Sequence, residues 1–309
     1  MQDEKILITG PAGQVAFPVA RALAQQNEVW GIARFGKPED RERVQALGVR
    51  CVTLDMGRDA FDVLPDDFTY VLNFAVVHSW TPDFDHDLAV NVEGAGLLMA
   101  HCKKAKAFLQ CSSTAVYEAV ANDGFKETDP LGDNHRGMLP TYSISKIASE
   151  SMARFGARHW NMPTVIARLN VPYGANGGWP AMHLEMMRAG QDIVVGPGSR
   201  HVYNPIHEDD VVAQVPRLLE IADVPAVTVN WGGSDQASIE EWCGYLGELT
   251  GLAYNIVCDE NMLQSVGIDT TKMHTLIGKT SVKWKDGFRR MVEARYPELL
   301  SEQGLGETR

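Results

Sequence analysis

Short apolar runs alternate with segments of helical periodicity along the first half of the chain. Each apolar run ends in small or polar residues, and each intervening segment repeats its apolar positions about every three to four residues. Strands that alternate with helices are typical of βαβ units, in which helices cover both faces of a parallel sheet. The predicted strands are 6–8, 28–33, 51–54, 70–75, 108–112 and 164–168, and the predicted helices are 15–26, 88–106 and 142–160.

The pattern changes after Tyr173, where a glycine-rich stretch, 174–178, interrupts the alternation. We therefore predict an α/β fold: a Rossmann-type, doubly wound parallel sheet with a smaller C-terminal α/β substrate-binding domain. Residues 1–173 form the dinucleotide-binding domain, and 174–309 form mainly the substrate-binding region, with some segments returning to the first domain. The second half is predicted to contain a loop over 197–205, helices over 211–221, 240–250 and 285–295, and a strand over 226–230.

Charge and cysteine content narrow the choice of partners. The 309 residues carry 28 basic and 40 acidic side chains, a formal net charge of −12, which argues against nucleic acid or an anionic membrane as a partner. No signal peptide pattern and no long apolar span is present in the sequence, so no membrane association is expected. The five cysteines form no CxxC pair, which predicts neither a metal site nor a disulfide framework, but reduced thiols in a cytoplasmic protein.

The first glycine-rich loop has the features of a phosphate-binding turn. Residues 9–16 read TGPAGQVA and follow a predicted strand directly. Glycines permit a tight turn and close approach of the backbone to a pyrophosphate, and the free N–H groups of a helix N-terminus attract the anion. The alternative is a glycine turn that binds nothing. The predicted dinucleotide contacts in this loop are Gly10, Ala12, Gly13, Gln14 and Val15.

The end of the second strand distinguishes NAD from NADP. An acidic residue there binds the ribose hydroxyls of NAD, whereas this chain has Arg34. A guanidinium can stack on the adenine and pair with a 2′-phosphate, so NADP(H) is favoured and NAD(H) is possible; alternatively, Arg34 is a solvated loop charge. Asp55, Met56, Phe74 and Ala75 follow other strands and are predicted to line the same site, because ligands bind at the carboxyl edge of such sheets.

A tyrosine and a lysine share one face of a predicted helix. Tyr142 and Lys146 are four residues apart, so their side chains point the same way. A free phenol has a pKa of about 10, and a nearby cation stabilises the phenolate, which suits proton exchange with a carbinol oxygen. Ser113 ends a predicted strand, where its hydroxyl can bind the same oxygen. Alternatively, the lysine is merely solvated and the serine makes only local backbone hydrogen bonds.

Several motifs in one order give the chain a family resemblance. Together they resemble the NAD-dependent epimerase/dehydratase family, the extended short-chain dehydrogenases/reductases, over nearly the whole chain. They are TGxxGxxA at 9–16, NFA at 73–75, SSTAVY at 112–117, YSISK at 142–146, RLNVPYG at 168–174 and IHEDDV at 206–211.

The resemblance implies a role for individual residues. Tyr142 corresponds to the catalytic acid/base, Lys146 to its partner and Ser113 to the third member of the set. Asn91 matches a family asparagine on the helix beneath the site. A homodimer is also implied, formed by pairing helices such as 88–106 and 142–160 into a four-helix bundle.

The chain departs from the family members that act on sugar nucleotides. These usually carry an asparagine three residues after the arginine of the RxxNxYG motif, where this chain has Val171. They also tend to place an arginine four residues before the histidine of the IHVDD-like motif, where this chain has Tyr203. A diphosphate without a cationic clamp is poorly held. Thr114 and Ala115 replace the Asp-Glu pair of the dehydratases, so dehydration is not expected.

The predicted substrate contacts are largely aromatic or apolar, which suits an irregular, partly apolar ligand. The methionines alternatively fill the core of the small domain, and lone histidines often have no chemical role. The predicted substrate residues are His78, Thr114, Trp179 and Tyr203, with Trp80, Met182, His183 and Met186 as further candidates.

Three functional hypotheses follow. The first is an NADP-dependent oxidoreductase that transfers hydride between nicotinamide and a carbonyl or secondary alcohol of a small, partly apolar substrate. The second is an epimerase of a sugar or sugar nucleotide with tightly bound NAD. The third is a non-catalytic regulator that senses dinucleotide, which the presence of Ser113, Tyr142 and Lys146 argues against.

Overall fold

The computed structural model of the chain describes residues 1–79 and 81–300. Trp80, one of the substrate candidates, lies outside the described residues, as do residues 301–309. The strands are β1 (Lys5–Thr9), β2 (Glu28–Ala33), β3 (Arg50–Thr53), β4 (Tyr70–Asn73), β5 (Ala107–Ser113), β6 (Asn122–Phe125), β7 (Thr164–Leu169), β8 (Val171–Gly174), β9 (Gly177–Gly178), β10 (Ile193–Val195), β11 (Val202–Tyr203), β12 (Pro205–His207), β13 (Val227–Trp231), β14 (Ala237–Ser238), β15 (Ile256–Cys258) and β16 (Val266–Ile268). The α-helices are α1 (Ala16–Leu23), α2 (Pro38–Gln45), α3 (Phe84–Leu88), α4 (Gly94–His101), α5 (Tyr142–Trp160), α6 (Trp179–Arg188), α7 (Glu208–Glu220), α8 (Ile239–Thr250), α9 (Thr271–Ile277) and α10 (Trp284–Arg295).

A seven-stranded parallel sheet organises the fold. Its strand order is β13-β7-β5-β4-β1-β2-β3, and each neighbouring pair is parallel. The chain runs outward from β1 to β3 and then crosses back to β4, so the order reverses between β1 and β4. The prediction of a Rossmann-type, doubly wound α/β fold is confirmed, and this reversal point is where such sheets bind ligands.

Apolar side chains on the two faces of the sheet form two separate layers. Ile6 and Ile8 of β1 pack in one layer and Leu7 packs in the other, as expected from the alternation of side chains along a strand. All three are fully buried, because helices cover both faces. The continuous apolar run of β1 is thus explained by burial on both sides.

The helix predicted over 88–106 is confirmed from 88 to 101, but a π-helical turn joins two α-helical segments, and residues 102–106 lie outside the helix. A wide π-helical turn, Ala89–Glu93, separates α3 from α4, and α4 ends at His101. Asn91 lies in this turn, and its amide group bonds both the N–H and the C=O of Val77, at 2.8 and 2.7 Å. These bonds require the asparagine to face the loop after β4, which the wide turn provides.

The sheet includes a strand from the second half of the chain. The strand predicted at 226–230 forms as β13 and adds to the sheet through parallel pairing with β7. The predicted loop 197–205 contains β11, which pairs with β14. Both are long-range pairings, which a periodic pattern within one segment does not report.

A third apolar cluster is built mainly from the C-terminal half of the chain. It combines residues of α6, α8 and α10 with Tyr117 and Phe125 from the first half of the chain. Conversely, α7, from the second half of the chain, packs on the sheet in the layer that contains Ile6 and Ile8. The division at residue 173 stays a prediction; chain segments cross it in both directions. No helix of the described part of the chain is long and apolar enough to span a bilayer.

Candidate active site

A cleft of about 700 Å³ opens at the carboxyl edge of the sheet, at the reversal between β1 and β4. It is lined by the predicted cofactor and catalytic residues and by the four main substrate candidates. They are Gly10, Ala12, Gly13, Gln14, Val15, Arg34, Asp55, Met56, Phe74, Ala75, His78, Ser113, Thr114, Tyr142, Lys146, Trp179 and Tyr203.

The glycine-rich loop between β1 and α1 forms a cradle that a larger side chain would fill. Gly10 has a φ of 63°, and a Cβ there would lie 3.3 Å from the Cα of Ala75. A Cβ on Gly13 would lie 3.1 Å from the carbonyl oxygen of Gly10. No side chain caps α1 at Val15; the N–H of Phe17 donates to the carbonyl oxygen of Gly13 at 2.9 Å, and the helix N-terminus, with its positive dipole end, faces the loop. The loop therefore fits a dinucleotide pyrophosphate.

Hydrogen bonds join the ends of the three central strands beneath this loop. Thr9 Oγ1 donates to Asn73 Oδ1 at 2.7 Å and accepts from the N–H of Ala75 at 2.8 Å. Asn73 Nδ2 donates to Gln110 Oε1 at 2.9 Å. Thr9, Asn73 and Gln110 are all buried. The network holds the floor of the cleft in a fixed position, and Asn73 is thereby a strand-end linker.

The end of the cleft formed by β2 carries mixed charges. Arg34 is exposed there, next to Phe35, which has a φ of 45°. Asp40, in the first turn of α2, also lines this end, and Oδ1 of Asp40 lies 3.9 Å from Nη2 of Arg43. Asp55 Oδ1 accepts from the N–H of Gly57 at 3.0 Å. One cation, Arg34, and two carboxylates, Asp40 and Asp55, therefore line this end, and Arg43 partly compensates the charge of Asp40.

The catalytic candidates come from β5 and α5. Lys146 is buried, and its Nζ donates to the carbonyl oxygen of Cys111 at 2.8 Å; it lies 5.9 Å from the ring centre of Tyr142. Ser113 Oγ accepts from the N–H of Ala115 at 3.1 Å, which leaves its own proton available for an acceptor in the cleft. Cys111, the residue that holds Lys146, has a thiol whose pKa burial raises.

A buried carboxylate links the loop after β4 to the start of α5. Asp87 accepts from Ser79 at both its N–H, 3.2 Å away, and its hydroxyl, 3.0 Å away. It also accepts from the hydroxyl of Thr141, the residue before Tyr142. Asp87 is fully buried, and its bonds tie the residue after His78 to the residue before Tyr142. The ring centres of His78 and Tyr142 are 6.0 Å apart.

The far end of the cleft is aromatic and hydrogen-bonded, without charge. Trp179 and Tyr203 make an edge contact with ring centres 5.1 Å apart. Thr114 Oγ1 accepts from Asn170 Nδ2 at 3.1 Å, and Asn170 Oδ1 accepts from the N–H of Asn204 at 2.9 Å. Arg34 and Lys146 are the only Lys or Arg residues among the described residues that line the cleft.

Three of the further substrate candidates do not belong to this cleft. Met182 is exposed on α6 and Met186 packs against the C-terminal apolar cluster, and neither lines the cleft. His183 is buried and its Nδ1 accepts from Trp242 Nε1 at 2.9 Å. Their assignment to the cleft was wrong, because α6 turns the face that carries these side chains away from it.

Sequence reasoning missed several lining residues. Phe35 adjoins the adenosine end, Asn170 supports Thr114, and His135, Leu263 and Val266 form part of the far wall. Asn170 lies one residue before the position where the family usually has an asparagine, and this near match is the signal in the sequence that could have identified it. The others lie on loops whose approach to the cleft depends on distant parts of the chain.

The amino-acid sequence of this chain matches a known protein family and a curated relative. The sequence profile described as the NAD dependent epimerase/dehydratase family matches residues 6–230. A curated relative, dTDP-4-dehydrorhamnose reductase of Burkholderia thailandensis, is 29% identical over 151 residues, which are 47% of this chain and 44% of the relative. The chain thus matches less than half the length of that relative.

Solved structures of related fold cover nearly the whole chain. The UDP-glucuronic acid 4-epimerase of Bacillus cereus, in complex with UDP-glucuronic acid and NAD, superposes with a TM-score of 0.81 at 21% identity, over 94% of this chain and 98% of that one. The dTDP-glucose 4,6-dehydratase of Bacillus anthracis, in complex with NAD, superposes with a TM-score of 0.79 at 18% identity, over 96% and 97%. At these identities the likeness shows the fold.

Proposed function

Because this chain belongs to the NAD dependent epimerase/dehydratase family, we propose that it is an NAD(P)-dependent oxidoreductase. It transfers hydride between nicotinamide and a carbonyl or secondary alcohol of a small, partly apolar substrate. The observation that carries the proposal is the meeting of Ser113, Tyr142 and Lys146 in the same cleft as the glycine-rich cradle. A merely structural Tyr-Lys pair has no reason to face that cradle.

Each catalytic residue has a distinct task in this proposal. When bound, the dinucleotide supplies or accepts a hydride at its nicotinamide carbon. In the direction of reduction, the Tyr142 hydroxyl gives its proton to the carbonyl oxygen as the carbon gains hydride, and the Ser113 hydroxyl holds that oxygen. Lys146, fixed on Cys111, stabilises the phenolate that remains. Reprotonation from water completes the cycle.

NADP(H) is the proposed cofactor, with NAD(H) as the alternative. Arg34 is exposed at the adenosine end of the cleft and available to a 2′-phosphate. Asp40 opposes this choice, although Arg43 partly compensates its charge. The solved structures of the family quoted above contain NAD in complexes with their own proteins, which keeps the alternative open.

An uncharged substrate is favoured by the far end of the cleft. Trp179, Tyr203, Leu263 and Val266 supply apolar and aromatic surface there. All four lie in the region after residue 173, which we propose as the substrate-binding part. No arginine from this end clamps a diphosphate among the described lining residues. A small hydroxylated or aromatic ketone, aldehyde or alcohol therefore fits better than a sugar nucleotide.

Epimerisation is the second candidate function. Several of the superposing structures are sugar-nucleotide 4-epimerases, including the UDP-N-acetylglucosamine 4-epimerase of Methanobrevibacter ruminantium, with a TM-score of 0.81. An epimerase oxidises and re-reduces its substrate with a cofactor that stays bound, whereas a reductase exchanges it. A non-catalytic dinucleotide sensor is the third candidate, and measurable turnover would exclude it.

We also propose that the protein is a homodimer built on α4 and α5. Leu97 on α4 and Ile144 and Phe155 on α5 are large apolar side chains that are exposed in the single chain, Leu97 to 55% and Phe155 to 54%. The two helices pack directly on each other, since a Cβ on Gly96 would lie 2.8 Å from the sulfur of Met152. A second copy of this helix pair would cover these side chains.

The deciding experiment is to denature freshly purified protein and identify any dinucleotide that it releases, with its redox state. Near-stoichiometric NAD would contradict the NADP reductase and favour the epimerase. The proposal would be supported if the protein released no dinucleotide, bound NADPH more tightly than NADH and reduced members of a panel of carbonyl compounds.

A further inference from the structure

Three buried side-chain atoms in the described residues lack a hydrogen-bond partner, and all three come from two neighbouring segments, 133–135 and 264–265, beside the cleft. They are Oδ1 of Asp133, Nδ1 of His135 and Oγ of Ser265. Asn134 and Gln264 join the two segments, since Asn134 Nδ2 donates to the Gln264 carbonyl at 3.0 Å and Asn134 Oδ1 accepts from the Gln264 N–H at 2.9 Å. A buried polar atom without a partner is costly, so the hydrogen bonding of these two segments is incomplete in the protein alone.

Of these three residues, His135 is the one that lines the cleft. Its ring centre lies 5.3 Å from that of Tyr142, and the His78 ring centre lies 6.0 Å from the same phenol ring. Leu263 and Val266, from the facing segment, line the cleft beside it. His135 is thus adjacent to the ring of the proposed acid/base and lines the same cleft.

The position of His135 is fixed by the catalytic elements themselves. Its backbone N–H donates to Ser143 Oγ at 3.2 Å, and the Ser143 hydroxyl donates to the carbonyl oxygen of Ala115 at 2.8 Å. Ser143 follows Tyr142 on α5, and Ala115 lies in the turn that Ser113 begins. His135 is therefore held in register with both Tyr142 and Ser113.

The His135 ring has bonding capacity suited to an uncharged ligand. Burial lowers the pKa of His135 to about 4, so the ring is neutral at pH 7 and carries one donor and one acceptor nitrogen. Within the part of the chain that the structure describes, no hydrogen bond engages the ring. Nδ1 is buried without a partner, whereas Nε2 is not a buried atom. Nε2 is therefore the nitrogen that a ligand in the cleft can reach.

Resting on the function proposed above, we propose that His135 determines substrate specificity by donating a hydrogen bond from Nε2 to an oxygen on the carbon next to the reacting carbon. The substrate class is then an uncharged α-hydroxy ketone, or the vicinal diol that its reduction gives. Tyr142 and Ser113 bind the reacting oxygen, and His135 binds its neighbour. A simple ketone leaves the His135 donor unpaired and is a poorer substrate.

The test compares 2-hydroxycyclohexanone with cyclohexanone as probes, with NADPH and with NADH. In His135→Phe, the ratio of kcat/KM for the hydroxy ketone to kcat/KM for the ketone is expected to fall about tenfold, the usual effect of one hydrogen bond. His135→Gln, which keeps an N–H donor, is expected to restore part of that ratio. Arg136→Gln is the matched control, because Arg136 is the next residue, exposed and outside the cleft. An unchanged ratio in His135→Phe overturns the inference and leaves the reductase proposal standing.

A binding measurement separates this inference from the proposed reaction. In wild-type protein labelled with ¹⁵N-histidine, the His135 ring resonances are expected to shift when 2-hydroxycyclohexanone is added with oxidised cofactor, and to stay in place with cyclohexanone. If the protein reduces neither ketone but the His135 resonances respond, the binding role stands and the reductase proposal fails for these ketones. Unresponsive His135 resonances overturn the binding role, whatever the turnover and whether or not the variants fold.

Discussion

Glu150 and Arg168 form a buried two-pronged ion pair between the catalytic helix α5 and the sheet strand β7. Glu150 Oε1 accepts from Arg168 Nε and Glu150 Oε2 from Arg168 Nη2, both at 2.9 Å, and both side chains are 2% exposed. The Ser112 hydroxyl adds a third bond to the same carboxylate at 2.6 Å. Glu150 lies one helical turn beyond Lys146, so the pair fixes the helix on which the catalytic residues stand.

Glu150→Gln should destabilise the fold strongly. It leaves the buried Arg168 charge uncompensated, which costs about 3–5 kcal/mol in comparable pairs. Urea unfolding at pH 7.5 measures the change. Arg154→Gln is the control, because Arg154 reaches the same carboxylate only at 3.5 Å from an exposed position, and its loss is expected to cost less than about 1 kcal/mol. Equal effects of the two substitutions would contradict this account of the pair.

Tyr142→Phe tests the acid/base. Loss of the phenolic proton should lower kcat by about 10²–10⁴-fold, whereas cofactor affinity changes little because the ring and Lys146 remain. Steady-state kinetics and fluorescence titration with NADPH provide the two readouts. Tyr70→Phe, at the start of β4 and outside the cleft, should be unaffected. Wild-type turnover in Tyr142→Phe would remove Tyr142 from the mechanism.

Arg34→Ala tests the cofactor preference. A charge-assisted bond to a 2′-phosphate contributes about 1.5–3 kcal/mol, so the Kd for NADPH should rise at least about tenfold while that for NADH stays constant. Isothermal titration with both cofactors measures this. Arg58→Gln removes a comparable exposed charge outside the cleft and should change neither Kd. Parallel losses for NADH and NADPH would mean that Arg34 contacts something other than the phosphate.

The buried His183 should make the protein sensitive to acid. Burial lowers the pKa of His183 to about 4, against about 6.5 in an unfolded chain. Between these two pKa values His183 binds a proton in the unfolded state but not in the native state. The free energy of unfolding therefore falls as the pH falls below about 6.5. His183 alone should lower the free energy of unfolding by about 2 kcal/mol at pH 5.0 relative to pH 7.5.

The difference between urea unfolding at pH 7.5 and pH 5.0 gives this contribution. His183→Gln should reduce the difference by that amount, although His135, whose pKa is also lowered to about 4, keeps its own part. His159→Gln, exposed on α5, should leave the difference as in the wild type. If His183→Gln kept the same pH difference as the wild type, His183 would still bind a proton in the native state despite its hydrogen bond from Trp242, and this prediction would be wrong.

Replacing Leu97 and Phe155 together by Glu should separate the proposed dimer into monomers. Two carboxylates would have to be buried between the helix pairs, which the association energy cannot offset. Analytical ultracentrifugation measures the oligomeric state. Leu276→Glu, an exposed apolar side chain on α9, should leave the dimer intact. A wild-type protein that is monomeric at high concentration would refute the dimer directly.

The sequence by itself determined the elements whose signals are local. The apolar run of β1, the cradle at Gly10 and Gly13 and the helix that carries Tyr142 and Lys146 all follow from the spacing of neighbouring residues, and α5 spans 142–160 as predicted. Since parallel strands align their carboxyl ends, the same local signals also placed the predicted cofactor and catalytic residues along one cleft, whereas Met182, His183 and Met186 on α6 lie outside it. The roles of the residues in the cleft stay predictions until the variants are measured.

Only the tertiary structure decided features that depend on contacts between distant segments. The wide turn at Asn91 exists where the asparagine bonds Val77, and β13 joins the sheet by pairing with β7. His135 reaches the wall of the cleft on a segment that Asn134 ties to Gln264. A periodic pattern reports which face of an element is apolar, but not which partner covers that face, because the energy of such contacts is shared between residues far apart in the chain.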